Sequence, residues 1–458
     1  MQSGQFVRAE EAFRQELAAD SRHVPTLLGL GMALKYQMRA AEAQGYFESV
    51  LAIDPENHAA WLQKAGCLEM ANRLEEAQAV ISQARARLPN WRPTVLELKL
   101  ARRTGDAAAA LAMMEPIIPV IDTEDHANYQ VFFELGYLFD LQGDYQQAFA
   151  CFSKGNHCMK ISPAASRFAE SLYPEQIARH RAPFTAAWVR NWTPAPPLDK
   201  RGAPVFIVGF PRSGTTLLDH VLHGHPAISV AEELPALYLA IRHAAQFTDA
   251  GPYPDCLSTL TPAQIVALRG VYFEALAARG VDLQKPLIVD KHPLNMVEVG
   301  MIYRLFPEAR IIMVLRHPCD CVLSCFMQYF ALNMATVNFL DLATAARLYD
   351  KAFSAWEQYR SVLPLAVHTV KYEDLTKDFR PTMQRVVDFL GLPWDETLEL
   401  HHARARERGV VRTASYAQVS EKLYTRSQYR WRQYAGFMDP AVPTLSPWIE
   451  KFGYRGHD

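Results

Sequence analysis

The chain has 458 residues, 50% of them apolar and 21% charged, which is typical of a globular protein with several domains. Its 47 Lys and Arg residues nearly balance 49 Asp and Glu residues, which excludes a bulk attraction to nucleic acid or to an anionic membrane. The seven scattered cysteines indicate no disulfide framework. Charged residues interrupt the first segment, and no run reaches the ~18 uncharged apolar residues of a membrane span, so we expect a cytoplasmic protein.

The first third of the sequence repeats with a period of 34 residues. Three sets of positions coincide at this shift: Ala9, Ala43 and Ala77; Phe13, Phe47 and Ile81; Pro55 and Pro89. Twelve positions before an inner alanine stands a small residue, which lets two antiparallel helices approach closely: Gly31, Ala65 and Gly136. The pattern resembles the tetratricopeptide repeat, whose helix pairs stack into a solenoid that binds peptides or partner proteins.

Three units of this repeat are clear, and the best copy lies at residues 135–152. Between residues 92 and 123 the register is broken by a shortened connection at Gly105, which predicts a degenerate unit. Residues 4–20 resemble only the second helix of a unit, so we expect that either the true start lies upstream or a preceding unit is missing.

The sequence changes character after the repeats. A proline-punctuated stretch at residues 192–197 cannot continue a helix, and the repeat pattern has faded before it. We therefore predict three parts: a solenoid over residues 1–160, a connecting segment over 161–201, and a second domain over 202–458.

A glycine loop opens the second domain. An apolar run at residues 204–208 precedes residues 209–216, Gly-Phe-Pro-Arg-Ser-Gly-Thr-Thr, and an apolar helix pattern follows. Strand, glycine loop and helix N-terminus favour an anion, because backbone N–H groups and the helix dipole converge there. A nucleotide triphosphatase would have lysine after the second glycine, where this chain has Thr215, and the cation has moved to Arg212. A triphosphatase is therefore the weaker interpretation.

A second strand indicates a second anion site. Residues 309–315 are apolar apart from Arg310 and lead into Arg316, where a nucleotide-hydrolysing enzyme would have a magnesium-binding aspartate. Ser324 follows two helical turns later, so that a guanidinium group and a hydroxyl could bind one phosphate. Two separate anion sites without an evident metal ligand predict a donor with phosphate groups at both ends.

These motifs together resemble those of the sulfotransferases that use 3′-phosphoadenosine-5′-phosphosulfate (PAPS). The similarity spans roughly residues 203–431, and the form of the glycine loop is most similar to that of the tyrosylprotein sulfotransferases. The resemblance implies that Arg316 and Ser324 bind the 3′-phosphate. It implies that the loop binds the 5′-phosphosulfate through Arg212, Ser213, Gly214, Thr215 and Thr216.

The same resemblance implies three catalytic residues. Glu232 takes the place of the proposed general base, Lys291 that of the lysine proposed to contact the bridging oxygen of the donor, and Arg212 would stabilise the leaving phosphate. His292 is a rival base, because cytosolic sulfotransferases use a histidine near this place and imidazole titrates near neutral pH. Glu232 also has a structural alternative, as a first-turn helix carboxylate stabilised by the helix dipole.

Tyr372, Ser415 and Arg430 complete the donor site that the resemblance implies. Gln328 stands where a further arginine would be expected, so the 3′-phosphate site would be weaker or completed elsewhere. Tyr372 could instead be a core aromatic residue. A close group of cysteines lacks a second pair at zinc-binding spacing, so we expect core residues there: Cys319, Cys321 and Cys325.

We predict an all-α tetratricopeptide-like solenoid followed by a P-loop-type α/β domain with a mainly parallel sheet, similar to bacterial repeat-fused sulfotransferases. The predicted enzyme transfers a sulfuryl group from PAPS to an acceptor hydroxyl without a metal. Peptide tyrosine is one candidate acceptor, and a sugar, lipid or phenol hydroxyl is another. The solenoid would bind the acceptor, a protein partner or a second copy of the chain. The alternatives are an inactive repeat scaffold and a P-loop kinase or NTPase.

Overall fold

A computed structural model of the protein describes residues 2–88, 94–198, 202–247, 251–400 and 428–454. The described residues divide into a helical unit that ends at Cys158 and a second unit that begins at Met159. Within these ranges, no helix combines the length and the apolar character needed to cross a bilayer. All seven cysteines are buried, including the close group on one helix.

The helical unit consists of one helix followed by four helix pairs. The bounds are α1 Gln2–Ala19, α2 Val24–Tyr36, α3 Ala40–Ile53, α4 His58–Met70, α5 Leu74–Arg87, α6 Val95–Thr104, α7 Ala107–Met114, α8 Tyr129–Leu141 and α9 Tyr145–Lys160. Successive helices bury short apolar stripes against each other, and the described residues of this unit form separate apolar clusters. The predicted helical repeat is confirmed.

The small residues of the repeat lie where two helices of a pair meet. A Cβ atom added at Gly31 of α2 would stand 2.6 Å from the ring of Phe47 on α3. At Gly136 of α8 it would stand 2.7 Å from the ring of Phe152 on α9. Only glycine permits the approach at these two positions, so the small residue twelve positions before the inner alanine has a packing cause there.

The degenerate unit predicted between residues 92 and 123 is the pair α6–α7, whose helices have 10 and 8 residues. Thr94 and Glu97 form a reciprocal capping box that begins α6. Gly105, in the left-handed conformation with φ of +88°, ends it. The altered spacing therefore shortens the two helices of this pair, but the pair is still present.

The second unit has a five-stranded sheet with helices around it. Its strands are β1 Val205–Gly209, β2 Ile228–Glu232, β3 Leu287–Lys291, β4 Arg310–Leu315 and β5 Ala366–Lys371. Its helices are α10 Leu172–Arg181, α11 Ala186–Arg190, α12 Thr215–His223, α13 Ala236–Phe247, α14 Pro262–Ala277, α15 Val299–Leu305, α16 Pro318–Phe326, α17 Leu342–Val362, α18 Tyr372–Lys377, α19 Phe379–Leu390 and α20 Val442–Lys451.

The strand order is β2-β3-β1-β4-β5, and every neighbouring pair is parallel, which confirms the predicted sheet. Central β1 is buried along its whole length, as expected for a parallel strand covered on both faces. Because parallel strands all end at one edge, the residues after β1, β2, β3 and β4 converge there. That edge carries the motifs found in the sequence.

Residues between the repeats and the sheet are fastened to the sheet unit by hydrogen bonds to their backbone. The Arg269 guanidinium donates to the carbonyl oxygens of Pro196 and Pro197 at 3.0 and 3.1 Å. The Arg304 guanidinium donates to the carbonyl oxygen of Thr193 at 2.6 Å. The proline-punctuated stretch is thus ordered by two buried arginines, and the exact domain limits stay a prediction.

Candidate donor and transfer site

The glycine loop lies between β1 and α12. Gly214 has φ of +102°, and a Cβ atom there would stand 2.6 Å from the ring of Tyr372. A Cβ atom at Gly209 would stand 2.5 Å from the carbonyl oxygen of Val314 on β4. Both glycines are therefore required by close approach, and α12 begins directly afterwards at Thr215. Its first N–H groups have no intrahelical acceptor, as an anion site requires.

The two predicted anion sites are joined by hydrogen bonds. Arg212 Nε donates to Ser324 Oγ on α16 at 3.0 Å. Arg316, at the end of β4, donates from a terminal nitrogen to the carbonyl oxygen of Arg212, also at 3.0 Å. The sequence predicts that Ser324 and Arg316 bind one phosphate, and this role stays a prediction; the structure bonds the Ser324 hydroxyl to Arg212 and brings all three residues together.

Arg316 is buried and held in place from two sides. Its guanidinium carbon lies 5.0 Å from the ring centre of Tyr372, and its Nε lies 3.8 Å from Asp320 Oδ2. Burial disfavours the charge, but Asp320 and the further groups around the guanidinium together raise the pKa of Arg316 above its ordinary value. Tyr372 thus lies between Gly214 and Arg316, in contact with both predicted anion sites.

Asp320 also binds the chain where it returns near the C-terminus. Its carboxylate oxygens accept hydrogen bonds from the backbone N–H groups of Tyr429 and Trp431 at 2.7 and 2.9 Å. These bonds flank Arg430 and fasten that residue beside the Arg316 site. Ser415, the remaining predicted donor residue, lies outside the described residues.

A lysine and three carboxylates meet at the ends of β2 and β3. Lys291 Nζ lies 2.8 Å from Glu233, 3.2 Å from Asp219 and 3.7 Å from Glu232. The parallel register pairs Glu232 with Lys291 across the two strands, and α12 brings Asp219 over them. The Lys291 side chain is fully buried, so its charge depends on these three acids.

The cluster shifts the proton affinities of its members. Burial, followed by the charge of Asp219, raises the pKa of Glu232, while Lys291 and His220 act in the opposite direction. Burial also disfavours the charge of Lys291, but Asp219, Glu233 and Glu232 together raise its pKa. A carboxylate with increased basicity beside a permanent ammonium can accept a proton from a hydroxyl.

His292, the rival base, follows Lys291 directly. Burial lowers the pKa of its imidazole and keeps the ring neutral. Its Nδ1 atom has no hydrogen-bond partner among the residues that the structure describes. Both candidate bases therefore lie at the same edge of the sheet.

Side chains of types that bind metal ions also occur in this cluster. One atom each of Asp219, His220 and Glu232 lie within 4.8 Å of one another. The Lys291 ammonium already stands 3.2 and 3.7 Å from the two acids and supplies the positive charge. We therefore interpret the cluster as an ion-pair network.

The sheet unit matches a known family. Residues 204–396 match the sulfotransferase family, and residues 36–102 match the tetratricopeptide repeat. The chain carries a sulfotransferase domain behind N-terminal tetratricopeptide repeats. The predicted resemblance is confirmed, and the homology to protein-tyrosine sulfotransferases is weak.

Relatives match the chain over part of their own length. An uncharacterised protein of Aquifex aeolicus is 26% identical over 84% of this chain and 50% of that protein. Protein-tyrosine sulfotransferase A of Caenorhabditis elegans is 25% identical over 43% of this chain and 52% of that protein. The chain thus spans about half the length of the curated relatives that it matches. A solved sulfotransferase domain, from the olefin synthase of Synechococcus PCC 7002, has 24% identity and a TM-score of 0.36, over 53% of this chain and 90% of that one.

Sequence reasoning missed two acids in the sulfotransferase domain. Asp219 interrupts an apolar helix pattern on a face that is buried, and an acid at such a position is a signal of a buried ion pair. Asp320 stands four residues after Arg316, the spacing of an ion pair along a helix. The spacing could have indicated the pair with Arg316 but not the two backbone N–H groups from residues more than a hundred positions away.

Proposed function

We propose that the sulfotransferase domain transfers a sulfuryl group from PAPS to an acceptor hydroxyl by in-line displacement, with Glu232 as general base. The observation that supports this most is the convergence of two arginines and a lysine–carboxylate pair at one sheet edge. Arg316 donates a 3.0 Å hydrogen bond to the carbonyl oxygen of Arg212, and Lys291 lies 3.7 Å from Glu232. The arrangement offers anion binding and proton transfer together.

The residues at the edge of the sheet where the parallel strands end fit a donor with two phosphate-bearing ends. The loop would hold the 5′-phosphosulfate through the first N–H groups of α12, Arg212 and the Ser213 hydroxyl. That hydroxyl is buried without a hydrogen-bond partner among the described residues, so a bound oxyanion would satisfy it. Arg316 and Ser324 would hold the 3′-phosphate, with Tyr372 in contact with the nucleoside between them and Arg430 nearby.

The transfer itself needs a base, in-line placement and stabilisation of the leaving group. The acceptor oxygen forms a bond to sulfur while the bond from sulfur to the bridging oxygen of the donor breaks. The acceptor proton passes to Glu232, and negative charge grows on the leaving 5′-phosphate. Lys291 and Arg212 stabilise that charge, so the residues of this chain provide the positive charge that transfer requires.

Peptide tyrosine is the acceptor that we propose to test first, because weakly homologous relatives carry the name protein-tyrosine sulfotransferase. We further infer that the solenoid binds the acceptor, a protein partner or a second copy, since repeats of this kind present extended binding surfaces. The acceptor pocket is a property of the site and does not follow from the fold. A panel of tyrosine peptides, phenols and sugars with labelled PAPS would define it.

The first experiment is a thermal-shift titration with 3′-phosphoadenosine-5′-phosphate (PAP), the desulfonated product. A ligand that binds only the folded protein raises its melting temperature, and we expect PAP to do so at lower concentration than ADP. AMP differs from PAP by the 3′-phosphate alone, so a third titration with AMP isolates the contribution of that group. Stabilisation by ATP with Mg²⁺ but not by PAP would contradict the proposal and favour a nucleotide-hydrolysing enzyme or kinase.

A further inference from the structure

Asp219 is a buried carboxylate at the transfer site that the proposed donor contacts do not use. Its Oδ2 atom lies 3.2 Å from Lys291 Nζ, and its side chain is 4% exposed, against 42% for Glu233. We propose that Asp219 is a positioning residue for sulfuryl transfer: it holds the Lys291 ammonium as a permanent counterion and so leaves Glu232 available to accept the proton. This role rests on the proposed function, in which Glu232 is the base.

The three acids lie at different distances from the Lys291 ammonium. Lys291 Nζ donates a hydrogen bond to Glu233 Oε1 at 2.8 Å and forms an ion pair with Asp219 Oδ2 at 3.2 Å, whereas Glu232, at 3.7 Å, is the most distant acid and lies beyond hydrogen-bond range. Its Oε1 atom is buried and has no hydrogen-bond partner among the described residues. A carboxylate bonded directly to the ammonium would be stabilised as the anion and would be a weaker base.

The remaining groups that face Glu232 come from α12, from its own strand and from the end of β3. Asp219 and His220 belong to α12, Glu233 directly follows Glu232 after the end of β2, and Lys291 ends β3 with His292 directly after it. Of these charges, Asp219 is the strongest that raises the pKa of Glu232, after burial itself. Loss of the Asp219 charge removes this repulsion and frees Lys291 to bond Glu232, and both effects lower that pKa.

The test compares two substitutions that each remove one carboxylate from Lys291. In Asp219→Asn we expect kcat to fall about tenfold through the weaker base, while the Kd for PAP changes by less than about twofold. When kcat/KM is plotted against pH, the acidic limb of the profile should move to lower pH. In Glu233→Gln the same charge is lost from a solvated position, so we expect a smaller shift of that limb. Asp219→Glu keeps the charge and should keep the wild-type limb.

A merely structural Asp219 would give a different pattern. Asp219→Asn would then lower stability or kcat with the acidic limb unmoved, and this result would overturn the proposal. Melting curves with and without PAP show whether the variant is folded and binds the donor product. An equal or larger shift in Glu233→Gln would also overturn it, because the counterion would then be Glu233.

Carboxyl carbon-13 resonances of the wild-type protein provide a readout that needs neither the Asn variant nor turnover. Asp219 must stay ionised through the pH range in which Glu232 titrates, with Glu232→Gln and Asp219→Glu used to assign the two signals. Titration of Asp219 at or above the pH of Glu232 would overturn its role as a permanent counterion. Wild-type protein that fails to use PAPS while showing the expected titration order would instead refute the proposed function alone.

Discussion

The two units treat buried acids in opposite ways. In the repeats, Glu69 of α4 is bound by Lys99 of α6 at 2.8 Å and by Arg103. Burial opposes its charge, but the two cations outweigh it and hold the pKa of Glu69 below the ordinary value. In the sulfotransferase domain, Glu232 is one of three acids around a single ammonium, and its pKa is raised. A buried acid bound by two cations is held ionised, whereas an acid that shares one cation with two other acids gains basicity, as a general base requires.

The largest expected effect comes from removing the carboxylate of Glu232. Glu232→Gln should reduce kcat by about 10²–10⁴-fold, because proton transfer to a positioned base contributes that much. PAP binding, measured by thermal shift, should remain. Glu69→Gln is the matched control, since it makes the same substitution at a buried acid that has its own cations, and the kcat of the folded variant should not change.

A Glu232→Gln enzyme with the wild-type rate would show that Glu232, like Glu69, has no role in catalysis. The difference in their pKa shifts would then have no functional meaning. His292 would become the base to examine. Its neutral ring has an unsatisfied nitrogen at the same edge. His292→Gln would then abolish turnover while leaving the effect of PAP on melting unchanged.

The second-largest expected effect is on donor binding and compares two arginines with similar surroundings. Arg316 lies over the ring of Tyr372 near Asp320, and Arg102 lies over the ring of Tyr137 and pairs with Glu134 at 2.8 Å. Only Arg316 belongs to the proposed 3′-phosphate site. Arg316→Ala should raise the Kd for PAP roughly 10–100-fold through loss of charge-assisted hydrogen bonds. Arg102→Ala should destabilise the repeats and leave that Kd unchanged, and a similar loss in both variants would point to a global effect.

The sequence predicted local features of the site more readily than contacts across it. Arg212, Glu232, Lys291 and Arg316 stand at strand ends or in the glycine loop, so motif and topology were enough to place them at one edge. The bond from Arg212 to Ser324 joins residues 112 positions apart and depends on how α16 packs. No spacing rule predicts such a contact.

The electrostatic environment of Asp219 could not be predicted from the sequence either. The sequence shows an acid in an apolar helix pattern, but its meaning depends on which strand ends lie opposite that face. Only the assembled sheet shows that one ammonium serves three carboxylates. In the repeats, by contrast, the 34-residue register and its small residues predicted the helix pairs directly, because each unit packs mainly on its neighbours.

The third-largest expected effect is on stability and concerns Glu69, the buried acid of the repeats. Glu69→Gln leaves Lys99 and Arg103 without their carboxylate and should lower the free energy of unfolding of the repeats by roughly 1–3 kcal/mol. Because the pKa of Glu69 is lowered on folding, the wild-type stabilisation is present above the ordinary carboxyl pKa and is lost as the pH falls. Urea unfolding at neutral and acidic pH measures both. A penalty that does not shrink at acidic pH would mean that the pair has no electrostatic role.

The smallest expected effect is on the pH dependence of stability. It tests whether burial alone, without the neighbouring acids that surround Glu232, raises the pKa of a carboxyl group. Asp290 on β3 is fully buried, accepts a hydrogen bond from the Tyr272 hydroxyl at 2.8 Å, and has its pKa raised by burial from 3.8 to about 7. The folded protein therefore holds a proton that the unfolded chain loses between these pH values, so stability falls as the pH rises toward 7. Asp290→Asn, a neutral isostere, should remove this dependence and stabilise the domain at pH 8 by roughly 1–2 kcal/mol. If stability instead rises with pH across that interval in the wild type, Asp290 is ionised when folded, and the adjacent Lys291 ammonium must be counted as its partner as well.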